Sequence, residues 1–256
     1  VALFCCYALY YLGGLGELAR RVPALVHAAV RRGDRYAAVT SRTAFSVVWL
    51  MRDAPDEADA EIADALRSWS TQSFQMPHMF ALAGRCEHAI YRGDPAAAVP
   101  FVEAARAPLE RSMLDRAPTN WLLLRSALGR HAVACAAQAP AGSSARRRSV
   151  AEARRIAKSL RRSPLPAGRA AAGLLFAGIA EVEGDLDGAV AELRRTVPAL
   201  DAIDMRLFAH GGRRRLGLLL GGDEGAALTA EVDRALTAER VVNPARLATV
   251  IAPGMT

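Results

Sequence analysis

The chain has 256 residues, of which 52% are hydrophobic and 6% aromatic, and its formal net charge at pH 7 is +7. This hydrophobic content is sufficient for a sizeable core and excludes wholesale disorder. Lys158 is the only lysine, and no glycine-rich run precedes it. The chain therefore has neither a phosphate-binding loop of the Gly-Lys-Ser/Thr type nor the strand lysine of a protein kinase.

The first predicted helix covers residues 1–12, which are apolar on every side, and Gly13-Gly14 ends it. A helix without a polar face needs cover on more than one side, so we expect preceding structure of a longer protein to pack on it. The segment is too short to span a bilayer and lacks the basic start of a secretory signal. The four cysteines have no spacing typical of a disulfide framework, which predicts a reduced, cytoplasmic compartment.

Helix-breaking residues recur along the rest of the chain at intervals of about 40 residues. This series lies at Gly13-Gly14, Asp53–Asp56, Gly93–Pro95, Gln138–Ser144, Gly184-Asp185 and Gly222-Asp223. A second series falls between these points, at Gly33-Asp34, Phe74–Pro77, Asp115–Pro118, Ser163–Pro166 and Asp201–Asp204. Together they delimit segments of about 12 to 20 residues, the length of helices joined as hairpins.

The Gly-Asp pairs explain how one helix ends and the next begins. Glycine takes the left-handed conformation that closes a helix, and aspartate accepts hydrogen bonds from the free amides of the following helix. Between the pairs the apolar spacing is helical, as at Val190, Leu193, Val197 and Leu200. The sequence predicts an all-α fold, a tetratricopeptide-like solenoid of about six antiparallel helix hairpins over residues 1–240, followed by a C-terminal tail at 241–256.

Several sequence segments resemble the C-terminal tetratricopeptide-like repeat region of large bacterial serine/threonine protein kinases of the eukaryotic-like type. They are Leu9–Gly13 with Glu17-Leu18, Arg32–Ala38, Ala65–Ser70, Leu82–Asp94, and Gly221–Gly225 with Asn243–Leu247 and Pro253-Gly254. In that family a kinase domain and an ATPase module precede helical repeats. The resemblance implies a regulatory or interaction segment, and it transfers no catalytic residue because the kinase and ATPase signatures are absent from this sequence.

The charge is concentrated in one segment. Eight of the 33 basic residues and one of the 26 acidic residues lie between positions 146 and 162, so this segment accounts for the whole net charge of +7. The basic residues are Arg146, Arg147, Arg148, Arg154, Arg155, Lys158, Arg161 and Arg162. They form a possible interaction patch for an acidic protein surface, anionic lipid or nucleic acid, or an ordinary solvated helix face. We expect Arg146 to Arg148 to lie in the loop before the helix, because arginines oppose the dipole of a helix N-terminus.

No catalytic or metal site is predicted. His78, Cys86 and His88 are close in sequence, but Cys86 and His88 point in different directions on a helix and no fourth ligand is evident. The five histidines are scattered, which leaves no Ser-His-Asp or Cys-His constellation to assign. We therefore expect a non-catalytic interaction or regulatory module of a multidomain bacterial signalling protein, without cofactor, that binds a protein, a peptide or other domains of its own chain. The alternative is the sensor or oligomerisation domain of a transcription regulator, with the basic helix facing nucleic acid.

Overall fold

The computed structural model describes residues 2–255, with every side chain among them except that of Asp115, and this part of the chain is helical without any strand. The all-α prediction is thereby confirmed. Val1, which belongs to the first predicted helix, lies outside the described residues. Two compact units are formed, one by the residues up to Leu124 together with Glu239–Asn243, and the other by Arg125–Ala238 with the residues from Pro244 on.

The first unit contains seven helices and the start of an eighth. They are α1 (Ala2–Leu12), α2 (Leu15–Arg31), α3 (Arg35–Ala44), α4 (Val47–Leu50), α5 (Pro55–Arg67), α6 (Met76–Arg92), α7 (Val99–Ser112) and α8 (Pro118–Gln138), with short 3-10 turns at Pro95–Ala98 and Leu114–Arg116. Helix α3 packs against α2, α5 and α6. The largest fully buried side chains include Phe45, Leu50 and Ile62, which form the core between these helices.

Residues 239–243 complete the first unit through two hydrogen bonds, one to a side-chain carboxylate and one between main-chain groups. The Gly16 N–H donates to Glu239 Oε2 over 2.8 Å, and the Val242 N–H donates to the Met51 carbonyl over 2.8 Å. Helix α1 contributes less to the core than its apolar sequence would allow. Only Cys6 among its residues is buried, and Phe4 is 74% exposed.

The second unit contains the rest of α8 and six further helices. These are α9 (Ser144–Arg161), α10 (Pro166–Glu183), α11 (Leu186–Asp201), α12 (Arg206–Leu220), α13 (Gly222–Ala238) and α14 (Pro244–Ile251). Each helix from α9 to α13 packs against the next in sequence. Glycines permit close crossings: a Cβ added to Gly173 would lie 2.0 Å from Thr196 Oγ1, so a larger residue would separate α10 from α11.

The glycines of the predicted Gly-Asp junctions take the left-handed conformation, but the aspartate cap forms at only some of them, since the Asp94 side chain makes no cap hydrogen bond. Gly93 and Gly184 have φ angles of +76° and +85°. Asp185 then caps α11, because its side chain accepts a hydrogen bond from the Gly188 N–H over 2.9 Å. The predicted apolar face of α11 is also present, with Leu193, Val197 and Leu200 buried.

The segment 241–256, which the sequence set apart as a tail, contains a helix. Leu247, Val250 and Ile251 of α14 are buried, and α14 packs on α12 and α13. Pro244 stands at the first helical position, where the missing N–H has no cost. The solenoid form and the single array over residues 1–240 remain predictions.

Candidate functional site

Helix α9 begins at Ser144, so the prediction that Arg146 to Arg148 lie in a loop was wrong. The Ser143 side chain caps the helix by accepting a hydrogen bond from the Arg146 N–H over 3.1 Å. The apolar face of the same helix buries five residues: Val150, Ala153, Ile156, Ala157 and Leu160. Burial of several apolar side chains at up to ~1.5–3 kcal/mol each outweighs the ~0.3–1 kcal/mol that a cation loses near a helix N-terminus.

Three of the eight predicted patch residues recur every seven positions and bond to neighbouring segments. We call Arg147, Arg154 and Arg161 the paired row. Arg147 Nη1 donates to the Gly142 carbonyl over 2.5 Å, and Arg154 forms an ion pair with Glu183 at the end of α10. Arg161 donates to Glu192 Oε1 over 2.7 Å, and its guanidinium carbon lies 4.0 Å from the ring centroid of Phe176.

Arg154 and Arg161 therefore fasten α9 to the helices that follow it, and Arg147 fastens its first turn to the preceding loop. The side chains of Arg154 and Arg161 are 38% and 49% exposed, so each ion pair contributes little, about 0–1 kcal/mol. The main effect of these ion pairs is to fix position, because each guanidinium is held at one place on the surface. Arg154 and Arg161 are occupied by ion pairs with the fold, whereas Arg147 bonds only to a neutral carbonyl and keeps its charge unmatched within residues 2–255.

Four other patch residues lie on the solvent side of the same helix. We call Arg148, Arg155, Lys158 and Arg162 the outer stripe, and all four are exposed. Arg155 bonds to Glu152 within the helix. Within residues 2–255, Arg148, Lys158 and Arg162 make no ion pair. At a rise of about 1.5 Å per residue the stripe is about 21 Å long.

Arg146, the eighth patch residue, lines a cleft of about 530 Å³ beside α9. The wall also includes Arg147, Arg154, Val150, Val182 and Glu183. Arg146 has no carboxylate partner within residues 2–255; its Nη2 lies 3.1 Å from the Met255 sulfur, and its Nε is buried without a hydrogen-bond partner. The structure thus divides the predicted patch into a paired row, an outer stripe and one unpaired arginine in a cleft.

The C-terminal segment that contacts Arg146 is itself held by a buried ion pair. Arg215 Nε donates to Glu181 Oε2 over 2.7 Å, and the two residues are 7% and 6% exposed. Both peptide groups of Met255 join this pair: its N–H donates to Glu181 Oε1 over 3.0 Å, and its carbonyl accepts from Arg215 Nη2 over 2.6 Å. A Cβ on Gly254 would lie 1.9 Å from Arg215 Nη2, so only glycine fits between the pair and the chain.

The first unit contains a hydrogen-bonded chain that the sequence analysis did not predict. His88 on α6 is fully buried, its Nε2 lies 2.8 Å from Ser46 Oγ, and its Nδ1 lies 2.7 Å from Asp59 Oδ1. In the neutral ring Nδ1–H donates to the Asp59 carboxylate and Nε2 accepts the Ser46 hydroxyl proton. The order serine, histidine, aspartate is that of a hydrolase triad.

The surroundings of these three hydrogen-bonded residues give them a structural role. Ser46 is 3% exposed, and a Cβ added to Gly84 would lie 2.9 Å from its Oγ, so α6 covers the hydroxyl. A nucleophilic serine needs contact with a substrate carbonyl, which this packing prevents. The contacts instead tie α6 to α5 and to the residue before α4, and we call Ser46, His88 and Asp59 the buried relay.

Arg92 extends the buried relay to the surface by an ion pair with Asp59. Burial raises the pKa of Asp59, but the hydrogen bonds from His88 and Arg92, together with the charge of Arg92, outweigh it and hold the pKa below its usual value. Asp59 therefore stays ionised, which fixes the direction of the hydrogen bond from His88.

The residues considered for a metal site do not meet as ligands. The His78 Nδ1 accepts a hydrogen bond from the Gln75 N–H over 3.1 Å at the start of α6, and Cys86 is buried in the same helix. Across residues 2–255, no group of three histidine, cysteine or acidic side chains is arranged to hold a metal ion. In the same residues, no helix combines the length and hydropathy that a membrane crossing requires.

Comparison of the chain with known protein families, curated protein sequences and solved structures gave no match.

Proposed function

We propose that this chain is a non-catalytic helical-repeat interaction module that docks an acidic helical segment, from a partner protein or from another domain of its own chain, on the outer stripe of α9. The observation that carries the proposal is the separation of the patch into two sets. The paired row is bonded to the fold, whereas Arg148, Lys158 and Arg162 project to solvent without ion pairs within residues 2–255.

The spacing of the outer stripe favours a helical partner. Arg148, Arg155 and Arg162 recur every seven residues, about 10.5 Å apart along the axis. A partner helix with carboxylates every seven residues presents its charges at the same interval, so the two unpaired arginines, Arg148 and Arg162, are matched at once, with Arg155, already bonded to Glu152, midway between them. Such complementarity mainly raises the association rate and selects the partner.

A regulatory role within a large bacterial signalling kinase is part of the proposal and is supported by the sequence resemblance. A tetratricopeptide-like solenoid is also supported by the helix lengths and by sequential packing from α9 to α13. Neither is required for the docking experiment.

The experiment uses fluorescence anisotropy with two labelled helical peptides of identical composition. One carries glutamates at seven-residue spacing on one face, and the other carries the same glutamates distributed around the helix. We expect the first to bind at least about tenfold more tightly at low salt and to lose affinity as salt screens the charges. Equal binding of the two peptides would contradict a matched docking face.

Matched variants locate the site. Replacement of Arg148, Lys158 and Arg162 by glutamine should abolish most of the binding, whereas replacement of the exposed Arg31, Arg32 and Arg106 removes the same charge elsewhere and should leave it nearly unchanged. A short DNA duplex is titrated in parallel. If the duplex binds at physiological salt more tightly than the peptide and depends on the same three residues, the module recognises nucleic acid and the proposal is wrong.

A further inference from the structure

The cleft beside α9 has more positive charge than its own contacts satisfy. Of its three arginines, only Arg154 is paired with a carboxylate, that of Glu183. Arg147 bonds to a neutral carbonyl, and the guanidinium of Arg146 bonds, among the described residues, only to a methionine sulfur, a weak acceptor. Two guanidinium groups on one side of the cleft thus have no counter-charge within residues 2–255.

The position of these two arginines adds to the imbalance. They lie in the first turn of α9, where the helix already presents partial positive charge, so each lowers stability instead of raising it. The buried Nε of Arg146, which has no partner, is a further cost. An anion in the cleft would offset the charge of both arginines.

The size and lining of the cleft indicate more than a simple ion. Its volume of about 530 Å³ falls within the range of small-molecule sites, and Val150 and Val182 supply an apolar wall next to the guanidinium groups. A carboxylate would match one of the two unpaired charges. A phosphate monoester carries about −1.5 to −2 charges near neutral pH and three acceptor oxygens, which suits two planar arginine forks.

We propose that this cleft binds a phosphate monoester, with Arg146 and Arg147 on the phosphate and Val150 and Val182 against the organic part. The phosphate can belong to a small molecule or to a phosphorylated side chain. The site uses residues other than the outer stripe, so its existence does not depend on the docking of an acidic helix.

Calorimetric titration of the full chain with phenyl phosphate and with benzoate tests the charge requirement, because the two ligands share a ring and differ in their anionic group. We expect phenyl phosphate to bind at least about tenfold more tightly than benzoate at pH 7.5, and its lead to shrink at pH 5.5, where the phosphate is largely a monoanion. Equal affinities would overturn the proposal.

Two variants of equal charge locate the ligand. Arg146→Gln should lower the affinity for phenyl phosphate at least about tenfold, because it removes a charge-assisted contact. Arg148→Gln removes the same charge two residues away on the outer stripe and should change the affinity less than about twofold. Similar losses in both variants would overturn the site, and thermal unfolding of each variant confirms that it is folded.

A third ligand distinguishes the two sources of the phosphate, a small molecule and a phosphorylated side chain. An acetylated and amidated alanine-rich peptide with one phosphoserine should compete with phenyl phosphate for the same site. Tighter binding of the peptide identifies a phosphorylated protein segment, and tighter binding of phenyl phosphate identifies a small molecule. No competition by inorganic phosphate at millimolar concentration would contradict the assignment of a phosphate site.

Discussion

Each unit contains a buried polar group, and the two units stabilise that group with different chemistry. In the second unit Glu181 and Arg215 are 6% and 7% exposed and hold the Met255 peptide groups between them. In the first unit the buried relay places a fully buried His88 between Ser46 and Asp59, whose side chain is 38% exposed. A guanidinium has no neutral form near pH 7, whereas an imidazole can be buried neutral. The loss of one partner should therefore cost more in the second unit.

The largest effect is expected from Glu181→Leu. The change leaves the Arg215 charge buried without its carboxylate and should lower the free energy of unfolding by about 3–5 kcal/mol, measured by urea denaturation. Glu183→Leu is the matched control, since the Glu183 side chain is 42% exposed in its ion pair and should cost at most about 1 kcal/mol.

The double variant Glu181→Leu/Arg215→Leu sharpens this result. Replacing both partners with apolar residues removes the uncompensated charge, so the double variant should be more stable than Glu181→Leu alone. If Glu181→Leu and Glu183→Leu lower the free energy of unfolding by the same amount, Glu181 and Arg215 do not act as a buried ion pair.

A smaller effect is expected from His88→Leu in the first unit. The change leaves the Ser46 hydroxyl without its acceptor and removes one donor from Asp59, which should cost about 1–3 kcal/mol in unfolding free energy. His27→Leu changes an exposed histidine and should stay within about 0.5 kcal/mol of the unchanged protein. A cost for His88→Leu above that of Glu181→Leu would reverse the comparison.

The pH dependence of Asp59 gives a third test. Its pKa is lowered in the folded state, so its contribution to stability is present above its unfolded pKa of about 3.9 and is lost as the pH falls through the folded value. The difference in unfolding free energy between the unchanged protein and Asp59→Asn should shrink as the pH falls below 4. A difference that grows below pH 4 would contradict the direction of the shift.

The smallest effect is expected at the outer end of the buried relay. Arg92 is 26% exposed and pairs with Asp59 and Asp56, and Arg92→Gln should cost about 0.5–1 kcal/mol because solvent screens these pairs. Arg106→Gln on the exposed side of α7 serves as the control with no expected cost. Guanidine denaturation would mask such an electrostatic difference, so urea at low salt is the appropriate measurement.

The sequence by itself determined most of the helices, several of their ends and the location of the charge. Helical periodicity, glycine caps such as Gly184 and aspartate caps such as Asp185 depend on residues three or four positions apart, and those relations are visible in the sequence. The same local rules misplaced Arg146 to Arg148, because the Ser143 cap and the apolar face of α9 outweighed the helix dipole.

Only the tertiary structure decided which polar residues meet. Ser46 and His88 are 42 positions apart, and Glu181 and Arg215 are 34 apart, and no spacing rule connects residues on helices whose crossing is set by packing. The same crossing divided one run of basic residues into a paired row, an outer stripe and a cleft. The sequence concentrated the charge in α9, but the neighbouring helices determined which of its arginines are free to bind.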